Sequence, residues 1–257
     1  MPRKKVQLCI NADDFGFTPE ISKGILLLME KGLVSSTSTM AVHCGKEEIE
    51  NLSKQKNISI GLHFSLTSGC NYFIKNIKNQ YALARKYFSG KIKREDIFRE
   101  LSHQYESIKE KFSGEITHLD AHQHIHILPA VAKAMTEFSI EKKIPYVRIS
   151  KEISPNFSLK KMLFNSSAGK TNHQIPIFGL NIMGINFTRK NILRHFEFLK
   201  MKNANKAIWI VHPGYRSQSK IFNDSYNAER ENELNTFHEI RDEILEFADI
   251  VPLTGLL

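Results

Sequence analysis

The sequence predicts an α/β fold in which parallel strands form a (β/α) barrel that is distorted or incomplete. Short apolar segments alternate with segments of helical periodicity along most of the chain, which is typical of a parallel sheet covered by helices. Polar residues repeatedly follow the apolar segments, where the carboxyl ends of barrel strands would lie. The length of 257 residues suits one domain. We expect residues 1–257 to form it, with a substrate-contacting insertion at residues 151–189.

Strands are predicted where short, apolar or β-branched segments end in polar residues, and helices where apolar residues recur at helical spacing. The segment from Leu66 to Gly90 shows neither pattern and is rich in aromatic residues, so we expect a loop that caps the strand ends. The predicted strands are Val6–Ile10, Ser35–Val42, Ile58–His63, one that begins at Glu115, Ile144–Ile149, Ala207–Val211 and Ile250–Leu253, and the predicted helices are Thr18–Leu33, Gly45–Gln55, Arg94–Phe112, Ala130–Lys143, Thr188–Met201 and Ala228–Ala248.

The composition restricts the class of partner. The net charge of +9 raises the question of a nucleic-acid partner, but the lysines are scattered and no nucleic-acid-binding motif is present, so we expect a solvated basic surface and no nucleic acid. No apolar run reaches the length of about 18 residues that a membrane span needs. The first apolar run, Val6–Ile10, is too short for a signal peptide, which predicts a cytoplasmic protein. Three dispersed cysteines indicate neither a zinc knuckle nor a disulfide framework.

A histidine-rich segment, His118–His126, is the strongest chemical signal. It holds four of the eleven histidines, together with Asp120. Alternate residues of a strand face the same side, so His118, Asp120 and His122 can point together. Imidazole beside a carboxylate favours a divalent metal ion. The alternative is a solvated polar loop that happens to be rich in histidine.

A second signal is the pair Asp13-Asp14, which follows the first predicted strand. Adjacent carboxylates repel each other, and a metal ion removes that cost for one of them while the other stays available as a base. The alternatives are a surface turn or an N-cap pair for the next helix.

The candidate residues share one position, since they lie at the carboxyl ends of predicted strands. In a β/α barrel these ends open onto one face, so residues far apart in sequence converge there. A shared metal site at that face is therefore predicted from Asp13, Asp14, His63, His122, Arg148 and His212.

Three motifs, Asn11–Gly16, Gly61–His63 and Thr117–His126, resemble the YdjC/ChbG family of carbohydrate deacetylases, with a looser likeness up to His212-Pro213. The resemblance implies a barrel of the glycoside hydrolase and deacetylase type, related to the polysaccharide deacetylases. It also implies a divalent metal and the removal of N-acetyl groups from amino sugars such as chitooligosaccharides. Gln123 departs from the usual run of three histidines.

The resemblance also implies roles for single residues. Asp14, His63 and His122 match the metal ligands, Asp13 matches the base, and His212 matches the histidine that acts as the acid. As an acid, His212 must be protonated when the amine leaves.

Asp120, His124 and Arg148 are expected to contact the substrate or to support the ligands. One divalent ion is expected, either magnesium or zinc, although manganese, cobalt and nickel also suit the ligands. The oligomeric state stays open and includes a homodimer.

Two other functions stay open at this point. Another metal-dependent hydrolase, a phosphoesterase or an amidohydrolase, would use the same barrel, and a phosphoesterase would usually need a second ion, which His124 and His126 could help to hold. A glycan-binding protein without catalysis would need neither Asp13 nor His212.

Overall fold

An all-parallel sheet of eight strands forms the centre of the part of the chain that the structure describes. The computed structural model describes residues 5–67, 69, 71–75, 77, 79–149, 151–155, 175–218, 224 and 226–257. The strands are β1 (Val6–Phe15), β2 (Ser36–Thr39), β3 (Ser59–Phe64), β4 (His118–Ala121), β5 (Tyr146–Val147), β6 (Ile177–Phe178), β7 (Lys206–Val211) and β8 (Ala248–Ile250).

Helices connect these strands. Thr18 begins the first helix as an N-cap that accepts from the Ile21 N–H, with Pro19 at the first helical position, as predicted. Within the described residues, no helix has both the length and the apolar character needed to cross a membrane. The helices are α1 (Pro19–Glu30), α2 (Lys46–Ser53), α3 (Gln80–Phe88), α4 (Arg94–Lys109), α5 (Pro129–Glu141), α6 (Arg189–Met201), α7 (Asn227–Glu239) and α8 (Arg241–Phe247).

The strand order is β5-β4-β3-β2-β1-β7-β6, and β8 pairs with the start of β1. The sheet curls into a partial barrel. An isolated parallel bridge between Glu152 and Ile177 links the segment after β5 to β6 at the opposite edge. Among the described residues, no ladder longer than this single bridge joins the two edges of the sheet. The predicted (β/α) barrel, distorted or incomplete, is therefore confirmed.

The two-residue period of the strands divides the core into two layers. One set of side chains packs outward against the helices, and Trp209 of β7 illustrates it by stacking on Phe178 and Phe187 at ring-centroid distances of 5.5 and 5.7 Å. The alternate set, which includes Cys9, Ile208 and Ile210, forms a separate cluster inside the barrel. Polar side chains continue this inner set toward the carboxyl ends of the strands, and they build the site described below.

The elements differ from prediction at several places, and the last strand, predicted over Ile250–Leu253, is observed at Ala248–Ile250. The segment from Leu66 to Gly90, predicted as a loop, contains α3, whose N-cap Asn79 accepts from the Ala82 N–H at 3.0 Å. The predicted long helix over Ala228–Ala248 is two helices, because the chain breaks at Ile240. The strand β6 lies in the segment 151–189, which showed weak periodicity. Residues 156–174 of that expected insertion lie outside the described residues.

Candidate active site

The carboxyl ends of five strands place the predicted site residues in one buried polar layer. Asp13 and Asp14 lie near the end of β1, His63 lies in β3, and His122 directly follows β4. Arg148 and His212 directly follow β5 and β7, as the sequence indicates. All six are buried. The convergence expected from the barrel is therefore observed.

Asp14, His63 and His122 form a compact group. The Asp14 Oδ1 atom is 3.2 Å from Nε2 of His63 and 2.8 Å from Nδ1 of His122. One ligand atom from each residue lies within 4.8 Å of the others, a spacing that suits one metal ion. Asp14 adopts a left-handed backbone with φ of 70°, which is costly for a residue other than glycine and is typical of a functional position.

Asp120 fixes the orientation of His63. Its Oδ1 atom contacts His63 Nδ1 at 2.5 Å, so the other ring nitrogen, Nε2, points toward Asp14. A carboxylate that binds the far nitrogen of a histidine is a common support for metal ligation. Burial lowers the pKa of His63, but Asp120 and Asp13 outweigh this effect and raise the pKa to about 10.

A tight turn carries the chain from His122 into α5. Gln123 and His124 both have left-handed backbones, with φ of 52° and 54°. The His124 ring lies against His126 at a centroid distance of 5.9 Å, and His124 is in neither of the described groups that could hold a metal. The ring of His122, by contrast, lies 5.4 Å from that of His63.

Arg148 forms a bidentate ion pair with Asp13. Its Nη1 and Nη2 atoms donate to Asp13 Oδ1 and Oδ2 at 2.7 and 2.6 Å. Nη1 is also 3.1 Å from Asp120 Oδ2, and Asn11 donates to Asp13 Oδ1 at 2.8 Å. These contacts fix the plane of the Asp13 carboxylate.

His212 faces the same carboxylate, with its Nε2 atom 3.7 Å from Asp13 Oδ2. Its ring stacks on Tyr226 at a centroid distance of 5.8 Å. Burial lowers the pKa of His212 to about 4, although Asp13 and Asp14 oppose the shift. This low pKa favours a neutral His212 ring at neutral pH, before any reaction.

Sequence analysis named Asp120 and His118 of β4 but missed Ser38 of β2, which contacts both. The Ser38 hydroxyl donates to Asp120 Oδ2 at 2.5 Å and contacts His118 Nε2 at 3.1 Å. The His118 ring occupies the space beside Gly61, where a Cβ atom would lie 2.3 Å from the ring. A glycine is thus required at this position of β3 for steric reasons.

Two charged residues of α7 were also missed. Arg230 donates to Asp14 Oδ2 at 2.7 Å, and Glu233 accepts from the His212 backbone N–H at 2.6 Å. Both side chains are buried. Burial raises the pKa of Glu233 to about 7, against the effect of the backbone N–H groups of His212 and Gly184.

The charged side chains of this layer and of its support leave negative charge uncompensated when the histidines are neutral. Four carboxylates, of Asp13, Asp14, Asp120 and Asp224, contact two guanidinium groups, of Arg148 and Arg230. A proton on His63 offsets part of that charge, in agreement with its raised pKa. A cation among these residues would replace the proton.

Comparison with known proteins places the chain in a family. The model of the YdjC-like protein family matches residues 7–242, which is most of the chain and includes every residue of the polar layer. The chain belongs to the YdjC-like family. The resemblance that the three sequence motifs indicated is therefore confirmed.

Curated proteins similar to this chain include carbohydrate deacetylases. A carbohydrate deacetylase of Danio rerio is 25% identical, with 93% of this chain and 94% of that protein covered. A chitooligosaccharide deacetylase of Yersinia enterocolitica is 27% identical, with 81% of each chain covered. Both relatives are named as deacetylases.

Solved structures agree with the fold. A protein of Enterococcus faecalis V583 named for cellobiose-phosphate cleavage superposes with a TM-score of 0.75 at 17% identity, covering 98% of this chain and 99% of that chain. The peptidoglycan deacetylase PdaC of Bacillus subtilis superposes with a TM-score of 0.51 at 12% identity, covering 100% and 91%. At these identities the likeness concerns the fold of the YdjC-like chain.

Proposed function

We propose that the chain is a metal-dependent carbohydrate deacetylase, which hydrolyses N-acetyl groups of amino sugars or chitooligosaccharide-like chains to acetate and a free amine. The observation that carries the proposal is the juxtaposition of two groups. Asp14, His63 and His122 form a set of metal ligands, and the Asp13 carboxylate is held beside them by Arg148. Binding without catalysis would not need a carboxylate fixed in this way.

The residues fit one divalent ion. Two imidazoles and one carboxylate leave coordination positions open for other ligands, as catalytic sites require. The contact of Asp120 with His63 Nδ1 leaves Nε2 directed toward Asp14, and the carboxylates of the site outnumber its guanidinium groups. The donor set suits magnesium or zinc, and also manganese, cobalt or nickel. Such an ion, when bound, supplies Lewis acidity toward the acetyl carbonyl and toward water.

Asp13 is the base in this proposal. Its Oδ1 atom already accepts from Asn11 and Arg148, whereas Oδ2 accepts from Arg148 and faces His63 and His212 at 3.9 and 3.7 Å. Oδ2 is thus the oxygen with room to accept the proton of an attacking water. General-base help of this kind contributes typically about 10²–10⁴-fold.

His212 delivers a proton to the departing amine. Because its low pKa leaves the ring neutral before the reaction, that proton has to arrive during the reaction. Asp13 Oδ2 is 3.7 Å from His212 Nε2, so the proton that Asp13 takes from water has a short path to the ring. A neutral His212 therefore acts as a relay in this proposal, which modifies the role expected from the sequence.

The position of Arg148 argues against a two-metal phosphoesterase. Asp13, His63 and Asp120 form the other group of described residues with metal-like spacing. The Arg148 guanidinium already bonds the carboxylates of that group, at 2.6 and 2.7 Å to Asp13 and at 3.1 Å to Asp120. A second ion there would be repelled by this fixed positive charge.

The test measures acetate and free amine released from N-acetylglucosamine and chitooligosaccharides of increasing length. The protein is stripped with a chelator and reloaded with each of the five metals, and a phosphomonoester serves as the competing substrate. We expect equal amounts of acetate and amine, lost on stripping and restored by metal. Metal-independent release, or phosphate release without acetate, would refute the proposal.

A matched pair of variants ties the activity to this site. Asp13→Asn removes the base, whereas Asp249→Asn makes the same change at an exposed position of β8. Activity should disappear in the first variant and persist in the second. Equal activity of the two would show that the turnover arises elsewhere.

A further inference from the structure

The buried guanidinium group of Arg230 contacts the Asp14 carboxylate. The Arg230 side chain of α7 is 1% exposed and donates through Nη2 to Asp14 Oδ2 at 2.7 Å. Its Nη1 atom is 3.4 Å from the backbone oxygen of His212. A buried guanidinium is costly unless carboxylates compensate it, so this placement demands partners on the protein side.

Asp224 is the second partner. Arg230 Nε donates to Asp224 Oδ2 at 2.6 Å, and Nη2 is 3.3 Å from Asp224 Oδ1. The guanidinium is therefore shared between two carboxylates. Asp224 fixes the orientation of the planar guanidinium group that contacts Asp14. Lysine would keep the charge, but it lacks the planar fork that directs separate N–H groups to the two carboxylates.

The two oxygens of Asp14 have different neighbours as a result. Oδ1 faces His63 and His122, and Oδ2 is bonded to Arg230. One oxygen is directed into the group of metal ligands, while the other is bonded to a fixed cation.

We propose that Arg230, braced by Asp224, is a positioning residue that restricts Asp14 to one ligating oxygen and sets the charge with which Asp14 meets a divalent cation. This inference rests on the proposed metal site. It extends that site by a pair of residues whose charges act in opposite directions on cation affinity.

Because Arg230 and Asp224 carry opposite charges, removing one or the other should change metal affinity in opposite directions. Arg230→Gln removes the cation from Asp14, so the site becomes more negative and frees Oδ2. Asp224→Asn removes the second carboxylate charge from the guanidinium, so the site becomes more positive. A purely structural role would make both variants bind metal more weakly, in proportion to their loss of stability.

The experiment uses the full chain and Co²⁺ as the probe. Dissociation constants are measured by chelator competition, the visible absorption of bound Co²⁺ reports its coordination, and the melting temperature of the metal-free protein reports stability. Arg230→Lys keeps the charge without the fork. Arg189→Gln repeats the neutralising change in an exposed ion pair with Glu243 on α8.

We expect Arg230→Gln to bind Co²⁺ at least tenfold more tightly, with a changed absorption spectrum, and Asp224→Asn to bind it severalfold more weakly. Arg230→Lys should stay within about threefold of the unmodified chain, and Arg189→Gln should match that chain in both affinity and spectrum. Weaker binding in both site variants would overturn the inference, as would unchanged affinity and spectrum in Arg230→Gln. If Arg230→Gln does not fold, tighter or unchanged binding by Asp224→Asn overturns it alone. An unmodified chain that binds no Co²⁺ would refute the proposed metal site itself.

Discussion

His118 should make the protein sensitive to acid. Its ring is fully enclosed between the Ser38 and Thr117 hydroxyls, at 3.1 and 2.9 Å. Burial lowers its pKa to about 4, and Arg148 adds to the shift against the opposing effect of Asp120. In the unfolded chain the pKa returns to about 6.5. The unfolded state therefore binds more protons than the folded state between these two values, and stability falls as the pH drops through that range.

The size of the effect follows from the two pKa values. Integrated over pH, the shift costs about 2 kcal/mol of unfolding free energy at pH 5 and about 3 kcal/mol below pH 4, relative to pH 7.5. His118→Gln removes the titrating group. The variant loses packing at every pH, but it should lose about 2 kcal/mol less stability than the unmodified chain between pH 7.5 and pH 5. Urea denaturation in chelator at the two pH values measures this difference.

Parallel pH dependences of the two proteins would refute the reasoning. They would mean that the His118 ring accepts a proton in the folded state without cost, and hence that the enclosure by Ser38 and Thr117 does not desolvate it. His126 and His212 have lowered pKa values of about 3 and 4 and add to the acid sensitivity of both proteins. Their contributions cancel in the comparison.

Three further predictions concern the site. Asp13→Asn should keep the bound metal and lose about 10²–10⁴-fold in turnover, and near-normal activity of the metal-loaded variant would assign the base elsewhere. Asp120→Asn should weaken metal affinity about 10–100-fold in a chelator competition, because His63 loses the carboxylate charge that supports its imidazole as a ligand; unchanged affinity would contradict that role. His212→Ala should slow an N-acetyl sugar far more than an aryl acetate ester, whose leaving group needs no proton. Equal losses on both substrates would mean that His212 positions the substrate.

The part of the site that lies at strand ends was predictable from the sequence. The end of a parallel strand can be recognised in the sequence, because an apolar run stops at a polar residue. The barrel then brings all such ends to one face. Asp13, His63, Arg148 and His212 were found in this way, without knowledge of which strands are neighbours. His124, which shares the histidine-rich segment with His122, lies against His126, and its expected role toward the substrate or the ligands stays a prediction.

The prediction of secondary structure failed where the deciding signal in the sequence was weak or obscured. The break between α7 and α8 falls at Ile240, with φ of −105° and ψ of 16°, and no proline or glycine marks it. The helix α3 did carry a signal, because Asn79 is a good N-cap and Gly90 follows its end with φ of 69°. The aromatic content of the segment obscured these signals.

The contribution of α7 could not have been read from its sequence. Its segment Asn227–Glu239 is dominated by polar residues, and such a segment normally indicates a solvated helix face. Arg230 and Glu233 lie one turn apart on the buried side, where Asp14 and the backbone of His212 compensate their charges. Those partners come from β1 and from the end of β7, so the burial of the two charges depends on contacts between residues that are distant in sequence. A hydropathy pattern takes no account of the partners of a residue. It therefore predicts a surface position for Arg230 and Glu233, although both are buried in contact with the site.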